Sequence, residues 1–232
     1  MAQVLVTGAN RGLGLEFVRQ LLARGDRVVA TCRAPGRAIE LTRLAGEHPG
    51  RLTVLPLEVA SPRSIAELAR ELETLDLGID LLLNNAGVLP AGERFGALDA
   101  KALADTFATN VQGPLLLTQA LADRLVDGGK VVAIGSGLGS IARADAFGTP
   151  SYAISKAALN MAMRQLGHAL AARRIAVIAL SPGWVKTDMG GAGANLEPSA
   201  SIAMMLAVID RTSFDAAHIG AFLAHDGTLM PW

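Results

Sequence analysis

Short, almost purely apolar runs alternate with longer amphipathic segments along most of this chain. We predict strands at about Val4–Thr7, Arg27–Thr31, Leu52–Leu57, Asp80–Leu83, Lys130–Ile134 and Ile175–Leu180. Runs such as Leu81-Leu82-Leu83 have no polar side to present to solvent, so we expect a parallel sheet that is covered on both faces. The alternation predicts right-handed crossovers and a doubly wound α/β fold.

Amphipathic segments of helical length lie between the predicted strands. They cover about Gly14–Arg24, Ser64–Leu75, Ala102–Leu125 and Ser151–Arg173. Ser61-Pro62 precedes the second of them, and a serine at that position caps the first free amides of a helix. No repeat, low-complexity tract or linker interrupts the pattern. We therefore expect one domain over residues 1–232, with about seven parallel strands and helices on both faces.

The composition excludes several classes of partner. Lys plus Arg and Asp plus Glu number 21 each, so no basic field is available for nucleic acid or for an acidic membrane surface. The single cysteine, Cys32, excludes an intramolecular disulfide, and the four histidines lack metal-ligand spacing, so we predict no metal. Neither an export signal nor an apolar run of roughly 18–20 residues is present, which favours a cytoplasmic protein.

A glycine-rich turn, Thr7-Gly8-Ala9-Asn10-Arg11-Gly12-Leu13-Gly14, separates the first predicted strand from the first helix. Its Gly-x-x-x-Gly-x-Gly spacing differs from the commoner Gly-x-Gly-x-x-Gly fingerprint, and glycine-rich turns alone are often only structural. Between a strand and a helix, however, such glycines bring backbone amides close to a pyrophosphate. The context predicts a Rossmann-type dinucleotide site that involves Gly8, Asn10, Arg11, Gly12, Leu13 and Gly14.

The second strand indicates which dinucleotide is bound. NAD sites place an acid at the end of this strand to bind the ribose, whereas here the strand ends Val28-Val29-Ala30-Thr31-Cys32-Arg33. The guanidinium groups of Arg33 and Arg11 suit a 2′-phosphate, although either arginine alone is more often a solvated surface charge. The two arginines, together with the missing acid, predict NADP(H) rather than NAD(H).

Tyr152 and Lys156 lie four residues apart in a predicted helix, so their side chains project from one face. An ammonium beside a phenol stabilises the phenolate and lowers the pKa of the tyrosine. Such a tyrosine passes a proton to or from an alcohol or carbonyl oxygen. In isolation, the same pattern is more often an aromatic anchor beside a solvated lysine.

The glycine-rich segment Pro182–Ala194 follows the sixth strand, so we predict a loop at the ligand-binding edge of the sheet. A mobile lid and a long surface connection both fit this composition. We assign a substrate-loop region to about residues 184–205. Glu197, within this region, either contacts a polar substrate or is simply solvated.

The motifs occur in a fixed order: Thr-Gly-x-x-x-Gly-x-Gly, Asn84-Asn85-Ala86-Gly87 after the fourth strand, Asn110, Ser136 after the fifth, Tyr152/Lys156, and Pro182-Gly183 after the sixth. This ordered set resembles the short-chain dehydrogenase/reductase superfamily over essentially the whole chain. Further stretches look like the C-factor/sniffer-like carbonyl reductase branch, namely residues 135–141, 155–161 and 182–191 and the pair Pro231-Trp232.

The resemblance implies a role for each matching residue. Tyr152 would be the general acid in carbonyl reduction and the general base in alcohol oxidation, and Lys156 would lower its pKa and bind the nicotinamide ribose. Ser136 would hydrogen-bond the substrate oxygen; Ser140 is the alternative, although Ser136 matches the family position better. Asn110 would bind a water that relays protons from Lys156, but by itself it is equally a residue that caps or interrupts a helix.

Other family positions would hold NADP(H). Besides the glycine turn, the implied residues are Arg33, Glu58, Val59, Asn85, Ala86, Gly87, Tyr152, Lys156, Pro182, Gly183, Val185 and Thr187. Glu58 is one methylene longer than the aspartate that the family usually places beside the adenine. Asn84 is expected to tie the central strands together instead of touching a ligand.

Two functions stay open at this point. The first is an NADPH-dependent carbonyl reductase that acts on a small apolar ketone, aldehyde or quinone, or on the corresponding alcohol. The alternative is an NADP-binding regulatory or signalling protein with little or no turnover, because a fold does not fix a function. We expect a homodimer or homotetramer, paired through the helices near 102–125 and 151–173, unless those faces are covered within one chain.

Overall fold

The computed structural model describes residues 1–232 and contains one parallel sheet. Its strands are β1 (Gln3–Thr7), β2 (Arg27–Cys32), β3 (Leu52–Pro56), β4 (Ile79–Asn84), β5 (Leu125–Ile134), β6 (Ala176–Ser181) and β7 (Ala221–Ala224). They lie in the order β3-β2-β1-β4-β5-β6-β7, and every neighbouring pair is parallel. The strand order reverses between β1 and β4, where a doubly wound sheet opens a ligand crevice at its carboxyl edge. The predicted fold class is confirmed.

Seven α-helices cover the two faces of the sheet. They are α1 (Gly12–Ala23), α2 (Ile39–Glu47), α3 (Pro62–Thr74), α4 (Ala100–Phe107), α5 (Gly113–Ala120), α6 (Pro150–Leu170) and α7 (Pro198–Arg211). Side chains alternate along β1, so that Val4 and Val6 face one core with α1, α2 and α7, while Leu5 faces a second core with α3, α5 and α6. This two-sided burial explains why the strands read as continuous apolar runs.

The single helix predicted over residues 102–125 is wrong. α4 ends at Phe107, a π-helical turn spans Ala108–Gln112, α5 follows, and β5 already begins at Leu125. Pro114 explains part of the break, because it lacks the amide that a regular α-helix would direct to the carbonyl of Asn110. π-Turns inside helices are frequent at functional sites, and this one places Asn110 in the protein interior.

The predicted loop over Pro182–Ala194 contains no helix or strand, as expected. The last eight residues of the predicted substrate-loop region, 184–205, belong to α7 and are helical, and the role of the region toward a substrate stays a prediction. Pro198 suits the first turn of a helix. Ile202, Met205 and Ile209 then repeat at helical spacing and are completely or almost completely buried. No helix of the structure combines the length and the apolar character that crossing a membrane requires.

Candidate active site

The glycine turn between β1 and α1 is packed too tightly for side chains. Gly8 and Gly12 have φ angles of 63° and 53°, which favour glycine. A Cβ at Gly14 would lie 2.2 Å from the carbonyl oxygen of Gly8, and one at Gly8 would lie 2.9 Å from Cα of Ala86. No side chain caps the N-terminus of α1, so its first amides stay available. This cradle of bare backbone fits the pyrophosphate of a dinucleotide.

Thr7 and Asn85 hold the glycine turn against the end of β4. Oγ1 of Thr7 accepts hydrogen bonds from the amides of Asn85 and Ala86, at 3.0 and 2.9 Å. In return, Nδ2 of Asn85 donates to the carbonyls of Thr7 and Gly8, at 2.8 and 3.2 Å. Asn85 is predicted to line the cofactor. In the structure its side-chain amide stabilises the conformation of the glycine turn. Sequence reasoning gave Thr7 no role, although its place directly before the first glycine was the available signal.

The side chain of Asn84 connects β4 to the helical layer, whereas from the sequence we expected it to tie the central strands together. Its side chain is buried and donates a hydrogen bond to Oγ1 of Thr118 on α5, at 3.3 Å. Val59 is also buried, and a Cβ at Gly113 would lie 2.9 Å from its carbonyl oxygen. The start of α5 is thus packed against the segment that follows β3.

Both arginines predicted to select NADP(H) are largely exposed, and each pairs with a carboxylate. Nη1 of Arg11 lies 2.9 Å from Oδ2 of Asp188, and Nε of Arg33 lies 3.7 Å from Oε2 of Glu58. The carboxylate of Glu58 also accepts a hydrogen bond of 3.4 Å from the amide of Ala60. The partners of the two arginines could not be anticipated from sequence, because they depend on how separate loops meet.

Tyr152 and Lys156 are both buried on one face of α6. Nζ of Lys156 lies 5.4 Å from the centre of the Tyr152 ring and donates a hydrogen bond of 2.7 Å to the carbonyl of Ile134, the last residue of β5. Burial lowers the pKa of Lys156 to about 8. The alternative of a solvated lysine beside an aromatic anchor is therefore wrong.

Burial raises the pKa of Tyr152, while hydrogen bonding with Ser136 acts in the opposite direction. The direction is the reverse of the one predicted from the neighbouring ammonium. Desolvation disfavours the charged phenolate. The pKa of Lys156 is itself only about 8, so its ammonium is half deprotonated near that pH and stabilises the phenolate less. A ligand bound beside Tyr152 and Lys156 would change the pKa values of both groups from these starting directions.

The two candidate serines, Ser136 and Ser140, differ in their hydrogen bonds. Ser140 is buried, and its hydroxyl donates to the carbonyl of Pro231 at 2.8 Å. Ser136 directly follows β5, is only half buried, and accepts a hydrogen bond of 3.2 Å from the amide of Leu138. Its hydroxyl lies beside the phenol of Tyr152, where a ligand oxygen could accept its hydrogen bond in place of the phenol oxygen.

Asn110 is fully buried, and its side chain ties two elements together. Nδ2 donates to the carbonyl of Val88 and to Oγ of Ser155, both at 2.9 Å, and Oδ1 accepts from the amide of Val88 at 2.9 Å. A Cβ at Gly87 would lie 3.4 Å from Oδ1 of Asn110 and 3.7 Å from Nζ of Lys156. Asn110 thus fixes the loop after β4 beside Lys156, and its part in a proton relay stays a prediction.

The loop after β6 reaches back over the glycine turn. Gly183 has a φ of 78°, and the carbonyl of Pro182 accepts a hydrogen bond of 2.7 Å from Oγ of Ser201 on α7. Oγ1 of Thr187 accepts from the amide of Gly190 at 3.1 Å, while its methyl group would lie 3.9 Å from a Cβ at Gly12. The methyl group of Thr187 thus lies nearest the glycine turn, its hydroxyl is bonded within its own loop, and the contact of that hydroxyl with the pyrophosphate stays a prediction.

The same loop is closed on itself by local contacts. Val185 is buried and forms an isolated parallel bridge with Leu196. Nε1 of Trp184 donates to the carbonyl of Gly190 at 2.8 Å. Glu197 forms an ion pair of 2.6 Å with Lys186, and both side chains are exposed.

Sequence reasoning also missed Glu93, which lies in the loop after β4. Its carboxylate accepts a hydrogen bond of 3.1 Å from the amide of Ser151 and a second one from the Ser151 hydroxyl. This contact satisfies a free amide at the start of α6, directly before Tyr152. Phe95 in the same loop also packs edge to face against Phe147, which lies in the loop before α6, with ring centres 5.7 Å apart. A lone loop carboxylate carries no sequence signal for such a role.

The parallel sheet reverses its strand order beside the tightly packed glycine turn, and Tyr152 and Lys156 are buried near the same edge. These features define a Rossmann-type α/β domain with a ligand crevice at the carboxyl edge. The family model for short chain dehydrogenases matches residues 2–195. This chain belongs to the short-chain dehydrogenase/reductase family, an oxidoreductase family.

Several known proteins are similar to this chain. The structure of the carbonyl reductase Sniffer of D. melanogaster superposes with a TM-score of 0.94 at 33% identity, covering 100% of both chains. The NADPH-bound carbonyl reductase from chicken fatty liver gives a TM-score of 0.92 at 39% identity, covering 100% of this chain and 99% of that one. The C-signal protein of Myxococcus xanthus is 40% identical over 156 residues, which are 66% of this chain and 93% of that protein. The resemblance to the C-factor/sniffer-like branch is confirmed.

Proposed function

We propose that this protein is an NADPH-dependent carbonyl reductase, with Tyr152 as the general acid that protonates the carbonyl oxygen. The observation that carries the proposal is the buried Tyr152/Lys156 pair with Ser136 beside the phenol. It is supported by the similarity to an NADPH-bound carbonyl reductase over the whole chain. Arg11 and Arg33, with no acid at the end of β2, support NADP(H) as the cofactor.

The chain's own residues divide the work between binding and proton transfer. The turn of Gly8, Gly12 and Gly14 would hold the pyrophosphate, and Lys156 the nicotinamide ribose. When bound, NADPH supplies the hydride that reduces the carbonyl carbon. Ser136 donates a hydrogen bond to the carbonyl oxygen and stabilises the negative charge that develops there. Tyr152 gives its proton to the same oxygen, and in alcohol oxidation it takes the proton back.

The remaining predicted cofactor contacts are part of the same proposal. Backbone and side-chain groups on the glycine turn, the loop after β4 and the loop after β6 would surround the dinucleotide. These groups belong to Asn10, Leu13, Glu58, Val59, Asn85, Ala86, Gly87, Pro182, Gly183, Val185 and Thr187.

Exposed apolar side chains beside the site support a small apolar substrate. Leu138 follows Ser136 by two residues, Trp184 follows Gly183, and Ile141 lies in the turn after Ser140; all three are more than half exposed. Their surface is suited to a ketone, aldehyde or quinone without charged groups. An apolar pocket discriminates weakly between similar ligands, so we expect a broad range of carbonyl substrates.

The experiment that tests this function is a screen of NADPH oxidation against a panel of aldehydes, ketones and quinones. We expect turnover of several apolar members, with little turnover of charged ones. If NADPH binds and no carbonyl in the panel is reduced, the proposed activity is wrong.

A second function is favoured by one observation, the 40% identity to the C-signal protein. In this alternative the chain is an NADP-binding regulatory protein, and binding matters more than turnover. Tight NADPH binding without carbonyl reduction, together with a partner interaction that persists in Tyr152→Phe, would support it.

We further propose that the chain forms a homodimer or homotetramer through α4 and α6. Leu103 and Phe107 on α4, and Ile154 and Met161 on α6, are apolar and exposed. Apolar side chains grouped on two packed helices are typical of a face that a second subunit covers. Light scattering should give a mass of two or four chains of 24.0 kDa, and a monomeric mass at micromolar concentration would contradict this proposal.

A further inference from the structure

The two arginines of the proposed 2′-phosphate site are not free cations. Arg11 is paired with Asp188 from the loop after β6, and Arg33 with Glu58 from the loop between β3 and α3. Each carboxylate thus comes from a different element than the arginine that it neutralises. Any phosphate bound by these arginines meets two carboxylates that are already in place.

Neither pairing uses the whole guanidinium group. Arg11 offers only Nη1 to Asp188, and the 3.7 Å contact of Arg33 with Glu58 is an ion pair without a hydrogen bond. A guanidinium carries five N–H donors, so each arginine keeps donors for a phosphate. A phosphate at those donors either lies within a few ångströms of the carboxylate or displaces it.

Both arrangements act against a 2′-phosphate. If the carboxylate stays in place, it repels a group that carries a charge of about −1.5 to −2. If it is displaced, an existing ion pair must be broken first. NADH lacks this phosphate, and a carboxylate near its ribose can accept a hydrogen bond from the 2′-hydroxyl.

We propose that Glu58 and Asp188 are specificity-determining residues that reduce the preference of this protein for NADPH over NADH. The proposal rests on the proposed NADPH-dependent function. The effect of each residue is limited, because the side chains of Arg11, Asp188 and Arg33 are 69%, 82% and 75% exposed and that of Glu58 is 41% exposed. Exposed ion pairs are weak, so we expect a change of about two- to fivefold in affinity for each carboxylate.

Glu58 provides the cleaner test of the two residues. Asp188 directly follows Thr187, whose methyl group lies near the glycine turn, so removing its charge also favours the pyrophosphate that both cofactors share. Glu58 lies after β3, and its carboxylate contacts only Arg33 and the amide of Ala60. A contact of Glu58 with the adenine would be shared by NADPH and NADH, so the comparison of the two cofactors isolates its effect on the 2′-phosphate.

The experiment compares the dissociation constants of NADPH and NADH, measured by calorimetry, for wild type, Glu58→Gln and Asp188→Asn. Glu67→Gln is the matched control, because Glu67 is an exposed carboxylate on α3 that pairs with Arg63 at 2.8 Å. We expect Glu58→Gln to bind NADPH about two- to fivefold more tightly, with NADH unchanged or weaker. Asp188→Asn should strengthen NADPH more than NADH, and both gains should shrink at high salt.

Equal changes for the two cofactors in Glu58→Gln, or weaker NADPH binding, would overturn the inference and indicate that the carboxylate orients Arg33 for the phosphate. A control variant that responds as strongly as Glu58→Gln would overturn it as well. If wild type binds neither cofactor, the proposed function fails and this inference fails with it. If wild type binds NADPH but the affinities of Glu58→Gln and Asp188→Asn are the same as those of wild type, only the inference is wrong and the proposed function stands.

Discussion

Nζ of Lys156 lies 5.4 Å from the ring centre of Tyr152, one turn along α6, and both side chains are buried. An ammonium at this distance favours the phenolate, whereas burial disfavours both charged forms. Burial prevails here, since it raises the pKa of Tyr152 and lowers that of Lys156 to about 8. The phenol therefore keeps its proton at neutral pH, as a general acid in carbonyl reduction requires.

The buried Lys156 should make stability depend on alkaline pH. Its pKa is about 8 in the folded chain and 10.5 when unperturbed. Between these values the unfolded chain holds the proton and the folded chain does not, so raising the pH favours folding. Lys156→Met has no group that titrates at this position. Its free energy of unfolding, relative to that of wild type, should therefore fall by about 3 kcal/mol between pH 8 and 10.5. Urea unfolding at several pH values measures it.

The control for this prediction is Lys101→Met. Lys101 is exposed, and its hydrogen bond with Asp105 raises its pKa, so the Lys101 variant should not repeat the Lys156 trend. A stability difference between Lys156→Met and wild type that is independent of pH would show that Lys156 keeps its ordinary pKa in the folded chain.

The two serines near β5 should respond differently to loss of the hydroxyl. In Ser136→Ala the proposed donor to the substrate oxygen is removed, so kcat should fall by about 10²–10³. The lost hydrogen bond from the Leu138 amide should cost about 1 kcal/mol of unfolding free energy or less. Ser140→Ala breaks the buried bond to Pro231 and should cost about 1–2 kcal/mol of stability with a smaller effect on kcat. Steady-state kinetics and denaturant unfolding separate the two effects. The assignment fails if Ser140→Ala is the inactive variant while remaining folded.

A methyl group in the glycine turn should remove cofactor binding. In Gly14→Ala the new Cβ would lie 2.2 Å from the carbonyl of Gly8, so the turn must shift. We expect a loss of NADPH affinity in calorimetry and a destabilisation of about 1–3 kcal/mol. Gly46→Ala on α2 is the matched control, since its Cβ meets no atom within 4 Å; it should bind NADPH normally and stabilise the chain by about 0.5–1 kcal/mol. Unchanged NADPH binding by Gly14→Ala would remove the turn from the cofactor site.

The direction of the Tyr152 pKa shift predicts how the reverse reaction depends on pH. Alcohol oxidation needs the phenolate as the base, and burial raises the pKa of this phenol above its usual value. The rate of alcohol oxidation at saturating NADP should therefore keep rising from pH 7 to pH 9. A plateau already reached at pH 7 would mean that the bound cofactor and Lys156 lower the pKa of Tyr152 far enough to reverse the effect of burial.

Sequence predicts most of this fold because the signals are local. Leu81 to Leu83 are apolar on both sides of a strand, and Gly8, Gly12 and Gly14 lie where a strand gives way to a helix. The short edge strand β7 was not located, since four residues carry little pattern. α7 was hidden by a composition of small and flexible residues, although the spacing of Ile202, Met205 and Ile209 is helical.

The candidate site is harder to predict where a residue's role depends on a distant partner. The sequence favours Ser136 over Ser140 by its family position, but only the structure shows that the hydroxyl of Ser140 is bonded to Pro231. The carboxylates that neutralise the two arginines lie 177 residues from Arg11 and 25 residues from Arg33 along the chain. The pKa of Tyr152 likewise depends on burial, which a four-residue motif does not encode.

We propose that Tyr152 transfers the proton in an NADPH-dependent carbonyl reduction. The most direct measurement is NADPH consumption with an apolar carbonyl substrate for wild type and Tyr152→Phe, combined with NADPH binding to both proteins. We expect Tyr152→Phe to bind NADPH with similar affinity and to lose at least about a hundredfold in kcat. Equal turnover by the two proteins would contradict it.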